Sequence, residues 1–238
     1  MLDNYNVSRY TVISMAKKAD TKKEEAAAVQ QLPEDIIAFI KDMVCSPDEM
    51  VRKRLAQIIP ANADKLPGEV VGLISKLVKD VSEQVRKTVA EGILENAEKL
   101  PKAILALVKE LAGDKSDMVR KQVTEEILEN AEKLPKDILA LIKTLAKDSC
   151  VDVRKECAEE LLENAEKIPA DLLKLLRTLA KDSEEIVRKE FAEEIVENAM
   201  KLPKDLLAGL LTDMVGAVAP AGKAAKKTVK KTAKAKKK

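Results

Sequence analysis

The chain has 238 residues, of which 46% are hydrophobic, 35% charged and only 2% aromatic. Seven Gly and nine Pro leave a helix-former's composition rich enough for a packed core, unlike a sandwich, a collagen or a disordered chain. With no His at all, a His-based triad, a His general base and a His-ligated zinc site are excluded. The net charge of +2 hides a split: residues 223–238 hold nine Lys and no acid, and the preceding chain carries 34 basic against 41 acidic residues, a net of −7. Three Cys without CxxC spacing (Cys45, Cys150 and Cys157) argue against a disulfide framework and suit a reducing compartment, so the expected location is cytoplasmic. No run approaches the ~20 apolar residues of a membrane span.

The predicted elements follow in chain order. Residues 1–16 read as an N-terminal extension, expected to be disordered. Asp3 and a short apolar run make a poor secretory leader, and Met15-Ala16-Lys17-Lys18 has the texture of a start. Residues 17–32 are expected to form a capping helix. From there the chain repeats itself. Pro stands at 33, 67, 101, 135, 169 and 203, a fixed step of 34. Val-Arg-Lys recurs at 51–53, 85–87, 119–121, 153–155 and 187–189, and Asn-Ala at 62–63, 96–97, 130–131, 164–165 and 198–199. A period of this length means stacked supersecondary units. Five repeats result: 33–66, 67–100, 101–134, 135–168 and 169–202.

Each repeat reads as two helices. In 135–168, Pro135 suits the first helical position and Asp137 the first turn. Ile138, Leu139, Leu141, Ile142, Leu145 and Ala146 then make one apolar face of helix A. The cap of helix B is expected at Ser46, Asp80, Asp114, Asp148 and Asp182, with Glu49, Glu83, Asp117, Val151 and Glu185 three residues on. Helix B ends near Asn164, a residue that tolerates the left-handed C-terminal position. On a helical wheel Arg154 falls inside the apolar face of helix B, so it must be paired. Its partner is Asp148 or the counterpart in the adjoining repeat. The same logic makes a ladder of Asp80, Arg86, Asp114, Arg120, Asp148, Arg154, Asp182 and Arg188. In the first repeat Ser46 replaces Asp, and Arg52 needs Asp48 or another acceptor. Residues 203–216 form a lone helix A, expected to cap the stack. Residues 217–238 are a Lys-rich, low-complexity tail expected to be disordered.

An Asp at the inter-helix turn followed by Val-Arg resembles HEAT repeats, especially the short HEAT-like repeats also found in bilin lyases. The residues that carry this are Asp80 with Val85-Arg86, Asp114 with Val119-Arg120, Asp148 with Val153-Arg154 and Asp182 with Val187-Arg188. The resemblance covers 33–216 and implies an all-α, right-handed α-solenoid of five 34-residue helix pairs with capping helices. The period is shorter than in typical HEAT units and equals the tetratricopeptide length. That rival needs aromatic positions that are nearly absent, and Asn130 and its equivalents fall where it needs a small residue.

Chemistry has little to stand on. Glu125-Glu126, Glu159-Glu160 and Glu193-Glu194 lie 100° apart on a helix and do not converge. Cys157 takes a core column shared with Leu55, Val89, Val123 and Phe191. HEAT-fold glycosylases rely on aromatic pockets, and HEAT-repeat iron hydroxylases use His-Glu pairs. The chain is therefore expected to be no enzyme and to use no cofactor or metal.

Charge is the informative pattern. The columns of helix B expected to be exposed are 54/88/122/156/190, 57/91/125/159/193, 58/92/126/160/194 and 61/95/129/163/197, with sums of −1, −4, −3 and −4. A Lys column at 53, 87, 121, 155 and 189 borders them. Helix A carries a basic ridge of +9 over its outward columns. By the resemblance, B helices line the concave side, which makes that groove acidic. The first functional reading is a non-enzymatic scaffold binding a protein with a basic or amphipathic segment, through Glu91, Glu95, Glu125, Glu129, Glu159, Glu163, Glu193 and Glu197. The second is a nucleic-acid-associated protein using the A ridge and the tail lysines Lys223, Lys226, Lys227, Lys230, Lys231, Lys234, Lys236, Lys237 and Lys238. The third is a HEAT-fold lyase or DNA-repair enzyme.

Overall fold

The computed structural model describes residues 32–218, with side chains to residue 214. The expected N-terminal extension, nearly all of the expected N-terminal capping helix, and the tail lysines lie outside the described residues. Contacts divide the chain into two units, 1–119 and 120–238. All regular structure among the described residues is helical.

In the first unit, α1 (Glu34–Val44) and α2 (Glu49–Ala61) form one pair. The next pair is α3 (Gly68–Gly72) and α4 (Ile74–Leu77) against α5 (Glu83–Glu95). Then come α6 (Lys102–Leu105) and α7 (Val108–Leu111), followed by α8 (Asp117–Glu129), within which the division falls. The second unit continues with α9 (Lys136–Leu139) and α10 (Ile142–Leu145) against α11 (Val151–Glu163). It closes with α12 (Ala170–Leu173), α13 (Leu176–Leu179), α14 (Glu185–Asn198) and α15 (Lys204–Val218).

Helix A differs from the single helix expected. From the second repeat on it is two short helices joined by tighter i→i−3 bonds, such as Leu107 N–H to Ile104 O at 3.0 Å and Leu141 N–H to Ile138 O at 3.0 Å. The reason is visible in the buried residues. Val71, Ile74 and Leu77 recur every three positions, as do Leu105, Val108 and Leu111, Leu139, Ile142 and Leu145, and Leu173, Leu176 and Leu179. A period of three stays in one row only if the turn tightens toward three residues. The Pro residues stand one position before the helix rather than inside it. Pro67, for example, has ψ 143° and its carbonyl accepts from Val70 and Val71.

Helix B buries Val85, Val89 and Ile93 in one repeat and Val153, Cys157 and Leu161 in another, all fully. Its C-terminal Asn does not use left-handed backbone, since no non-glycine residue among those described has positive φ. The side-chain amide acts instead. Nδ2 of Asn62, Asn96, Asn130, Asn164 and Asn198 donates to the carbonyl four residues back, at 2.9–3.3 Å, and at Ile58, Glu126 and Glu160 it is a second donor beside the backbone N–H of the same Asn.

The Asp expected to cap helix B sits two residues too early for that role. Ser82 caps α5 and Asp48 caps α2. Oδ1 of Asp80, Asp114, Asp148 and Asp182 instead accepts the N–H two residues on, at 2.8–2.9 Å, closing the turn. The same carboxylate receives an arginine from the preceding repeat. Arg52 reaches Asp80 and Arg86 reaches Asp114; in the second unit Arg120 reaches Asp148 and Arg154 reaches Asp182. Each pair is bidentate, with Nε–Oδ2 at 2.6–2.7 Å and Nη2–Oδ1 at 2.8–3.0 Å. Nη1 of Arg52, Arg86 and Arg154 donates to the carbonyl six residues back, at 2.7–2.8 Å. Of the two partners the sequence allowed for Arg154, the structure takes Asp182, from the adjoining repeat. Arg188 is the exception to the ladder as read. Its Nη1 donates to main-chain carbonyls of Asp182 and Ser183, and the position one period beyond Asp182 is Gly216.

Burial opposes ionisation of these aspartates most strongly. The arginine and backbone hydrogen bonds together outweigh it and hold Asp80, Asp114, Asp148 and Asp182 below the usual carboxylate value. Arg86→Ala strands a buried carboxylate, and should lower the unfolding free energy by about 3–5 kcal/mol in chemical denaturation. Arg86→Met combined with Asp114→Leu should recover most of that loss, because no charge is left unpaired.

Candidate protein-binding surface on the B helices

The B helices carry the acidic columns. Neighbouring B helices pack side by side, α2 on α5 and α11 on α14. This changes which columns face water. Glu129, Glu163, Glu193 and Glu197 are exposed, while Glu125 and Glu159 are half-buried. In the first unit Glu95 is exposed and Glu91 half-buried. Two columns expected to be exposed are buried on the flanks in their middle members, Thr88, Gln122 and Glu156 and likewise Gly92, Glu126 and Glu160, whereas Arg54 and Ile58 are exposed and Glu190 and Glu194 half-buried. At 100° per residue Glu160 lies only about 20° from Val153, so the wheel already placed it beside the core. What the wheel lacked was the second packing partner, the next B helix.

The flanks are wired by charge. Lys121 Nζ meets Glu156 Oε2 at 2.9 Å, and Lys155 meets Glu190 at 2.7 Å, each crossing to the following B helix. Burial pushes the Glu156 carboxyl up, against the pull of Lys121. Nδ2 of Asn164 donates to Glu160 Oε2 at 2.9 Å, and Nδ2 of Asn198 to Glu194 Oε2 at 3.0 Å. Gln122 Nε2 and Asn130 Nδ2 donate to the two oxygens of Glu126, at 3.0 and 3.2 Å. Glu160 is pushed up to about 8, first by burial and then by Glu129, Glu163, Glu156 and Glu125 around it. Burial also raises Glu159 and Glu194, again with glutamates as the next cause. These carboxylates, the buried Glu126, Glu156 and Glu160 and the half-buried Glu194, stand in the acidic columns but not among the expected partner-binding residues.

The acidic character is confined. In the first unit the same columns hold Arg54, Gln57, Ile58, Ala61 and Thr88, with Glu91 and Glu95 as the acids. They line a cavity of about 390 Å³ between α2 and α5. Gly92 belongs to this contact, since a Cβ there would lie 2.9 Å from the Ala56 carbonyl oxygen. The helices therefore approach more closely than a side chain would allow.

Half of the ten cations on the basic ridge of helix A are paired with acids. Lys41 pairs with Glu69, Lys79 with Glu110 at 3.6 Å and Lys143 with Asp171 at 3.4 Å. Asp213 on α15 takes Lys181 at 2.8 Å and Arg177 at 3.9 Å. Lys143 and Asp171 also line a cavity of about 260 Å³ on this side of the second unit.

Burial pushes Cys157 up, away from the thiolate. Cys45 is exposed and has Lys76 Nζ 3.9 Å from its sulfur, a cation the sequence pattern did not imply. Among the described residues there is no group of three or more carboxylates or thiols that could hold a metal ion, and no helix long and apolar enough to cross a membrane.

No family model matches the chain, and no curated protein matches it in sequence. Solved structures do. Cex1p is similar over 86% of this chain and 41% of its own, with a TM-score of 0.57 and 16% identity. The protein of the Pds5–Scc1 complex structure is similar over 76% of this chain and 33% of its own, with a TM-score of 0.55 and 16% identity. The chain thus spans less than half the length of either, and at this identity the likeness is one of fold. The fold is that of the HEAT-like helical repeats, an all-α solenoid class.

Glu160 gives this surface a pH signature. Its folded-state value lies above the ordinary glutamate value, so the stability it contributes is present below pH ~4.5 and lost as pH rises toward 8. The aspartates act in the opposite sense and cost stability only as pH falls below about 4. Denaturation midpoints should therefore decline between pH 5 and 8, with a slope of up to about 1.4 kcal/mol per pH unit from this one group. Glu160→Gln should remove that slope and be more stable than the parent at pH 8.

Proposed function

We propose that this protein is a non-enzymatic repeat scaffold that docks a partner's basic segment on the glutamate face of α8, α11 and α14. The observation that carries the reading is the crowding of carboxylates with few cations. On the four columns and the bordering lysine column of these helices, eleven Glu stand against Lys121, Lys155 and Lys189. Burial first, and then the glutamates around it, push the Glu160 carboxyl toward its neutral form. A basic ligand relieves that repulsion, and an acidic surface concentrates cationic segments by long-range attraction. The helix-A ridge gives no comparable attraction for phosphate, because half of its ten cations already meet acids. The HEAT-like fold agrees with this role, and the Pds5 structure is itself that of a complex with Scc1. Nucleic-acid association is the second reading, favoured by the nine lysines of 223–238.

The test uses the full chain and a fluorescent decalysine peptide. Glu129→Lys, Glu163→Lys and Glu197→Lys together should weaken binding at least about tenfold at 150 mM salt, since each reverses an exposed charge. Glu91→Lys with Glu95→Lys, in the first unit, should change it less than about twofold. Equal losses in the two variants, or no binding by any form of the chain, would show that the face is only a solvated surface. Duplex DNA bound as tightly after the nine tail lysines are changed to Gln would place its site on the helix-A ridge instead and move the weight to the second reading.

A further inference from the structure

The second unit holds both an acidic face and the helix from which a basic segment departs. α15 packs against α13, and its described backbone ends at Val218. Five residues later the lysines begin. Between Lys223 and Lys234 they recur three and four apart, at 223, 226, 227, 230, 231 and 234. On α8, α11 and α14 the exposed or half-buried glutamates recur four apart, as in Glu125 and Glu129, Glu159 and Glu163, and Glu193 and Glu197. Both sets thus carry the spacing of neighbouring side chains on one side of a helix.

We propose that residues 223–238 are a built-in ligand of the glutamate face of the second unit and occupy it until a partner's basic segment displaces them; this rests on the reading that the face takes basic segments. Three arguments converge on this occupant rather than another. The charges match, with nine positive on the segment and a net of eight negative on the glutamate and lysine columns of α8, α11 and α14. The reach suffices: twenty residues beyond Val218 extend to about 65–70 Å, and their root-mean-square span as a coil is about 25 Å. A helix of 13 residues is about 20 Å long, and three helices packed side by side cover about 30 Å. Attachment to the same chain then sets an effective concentration of about 1 mM, so contacts with an intrinsic Kd of about 0.1 mM would be roughly nine-tenths formed. A free basic partner at micromolar concentration would meet a face already occupied, and its apparent affinity would fall about tenfold.

Two full-length chains test this: the parent and a variant with Gln at all nine tail lysines, of unchanged length. Carbodiimide, which joins an amine to a carboxylate in contact, should link tail lysines of the parent to Glu159, Glu163, Glu193 or Glu197. In a mixture of isotopically light and heavy protein these links should stay within one chain. Excess decalysine should suppress them, and decalysine should bind the Gln variant about tenfold more tightly than the parent. The inference is overturned if the Gln variant binds the peptide no more tightly than the parent, or if the links run between chains. It is also overturned if the tail lysines become protected only on adding a 20-bp duplex, which would make nucleic acid their ligand. In each of those outcomes a face that still binds decalysine keeps its proposed function. If the Gln variant, with nothing left to compete, fails to bind decalysine at all, the reading of the face falls and the inference with it.

Discussion

The structure depends on one bidentate contact made between repeats rather than within them. A guanidinium on helix B reaches forward to the aspartate of the next turn, while its third nitrogen holds the carbonyls of its own turn. Neither side chain has a good alternative. Arg86 is 4% exposed, and Asp114 accepts both Arg86 and the Ser116 amide. Two desolvated ions are tolerable only with such complete hydrogen bonding. Specificity is the gain, because a planar fork meets a carboxylate in one register. The hydrophobic rows alone, Val, Leu and Ile every three or four residues, would tolerate sliding.

That register in turn creates the acidic face. Once neighbouring B helices are fixed side by side, whatever stands on their flanks is brought together. In the first unit the flanks are mixed, with Arg54, Gln57, Ile58 and Thr88 beside two acids, and Gly92 lets α2 and α5 close up. In the second unit the same positions are glutamates that cannot leave. They are partly neutralised by lysines crossing to the next helix and hydrogen-bonded by asparagines four residues on, and burial together with the remaining glutamates raises the proton affinity of Glu160. The acidity is thus a by-product of exact repetition with Glu at one flank position, which is also what makes it a coherent surface.

The period, the number of helix pairs and the all-α class were legible because proline, Val-Arg-Lys and Asn-Ala mark every repeat. The buried arginine was legible from the wheel. Its partner was only half legible, since a single repeat offers Asp148 to Arg154 at six residues' distance and does not show that Asp182 lies nearer in space. The tightening of helix A could have been seen in the strict three-residue spacing of Leu139, Ile142 and Leu145, which a 3.6-residue reading absorbs without complaint. Glu126, Glu156 and Glu160 were misplaced for a different reason. A wheel describes one helix with one buried side, and these helices have three.

Arg188 stands where this chain of contacts stops. From the second repeat to the fifth, each offers a guanidinium forward and a carboxylate backward, as a monomer offers two unlike ends to a growing polymer. Arg188 is the last forward end, and the sequence position where the next carboxylate would fall is Gly216. An array joined in this way is lengthened or shortened with every contact kept by whole multiples of 34 residues. A duplicated repeat spliced in at a turn finds an arginine waiting on one side and supplies one on the other, whereas a change of a single residue within a helix rotates its arginine away from the partner aspartate. The length of such a protein is therefore quantised, and can drift by copying and loss of repeats while the surface it displays is extended or trimmed by one helix at a time.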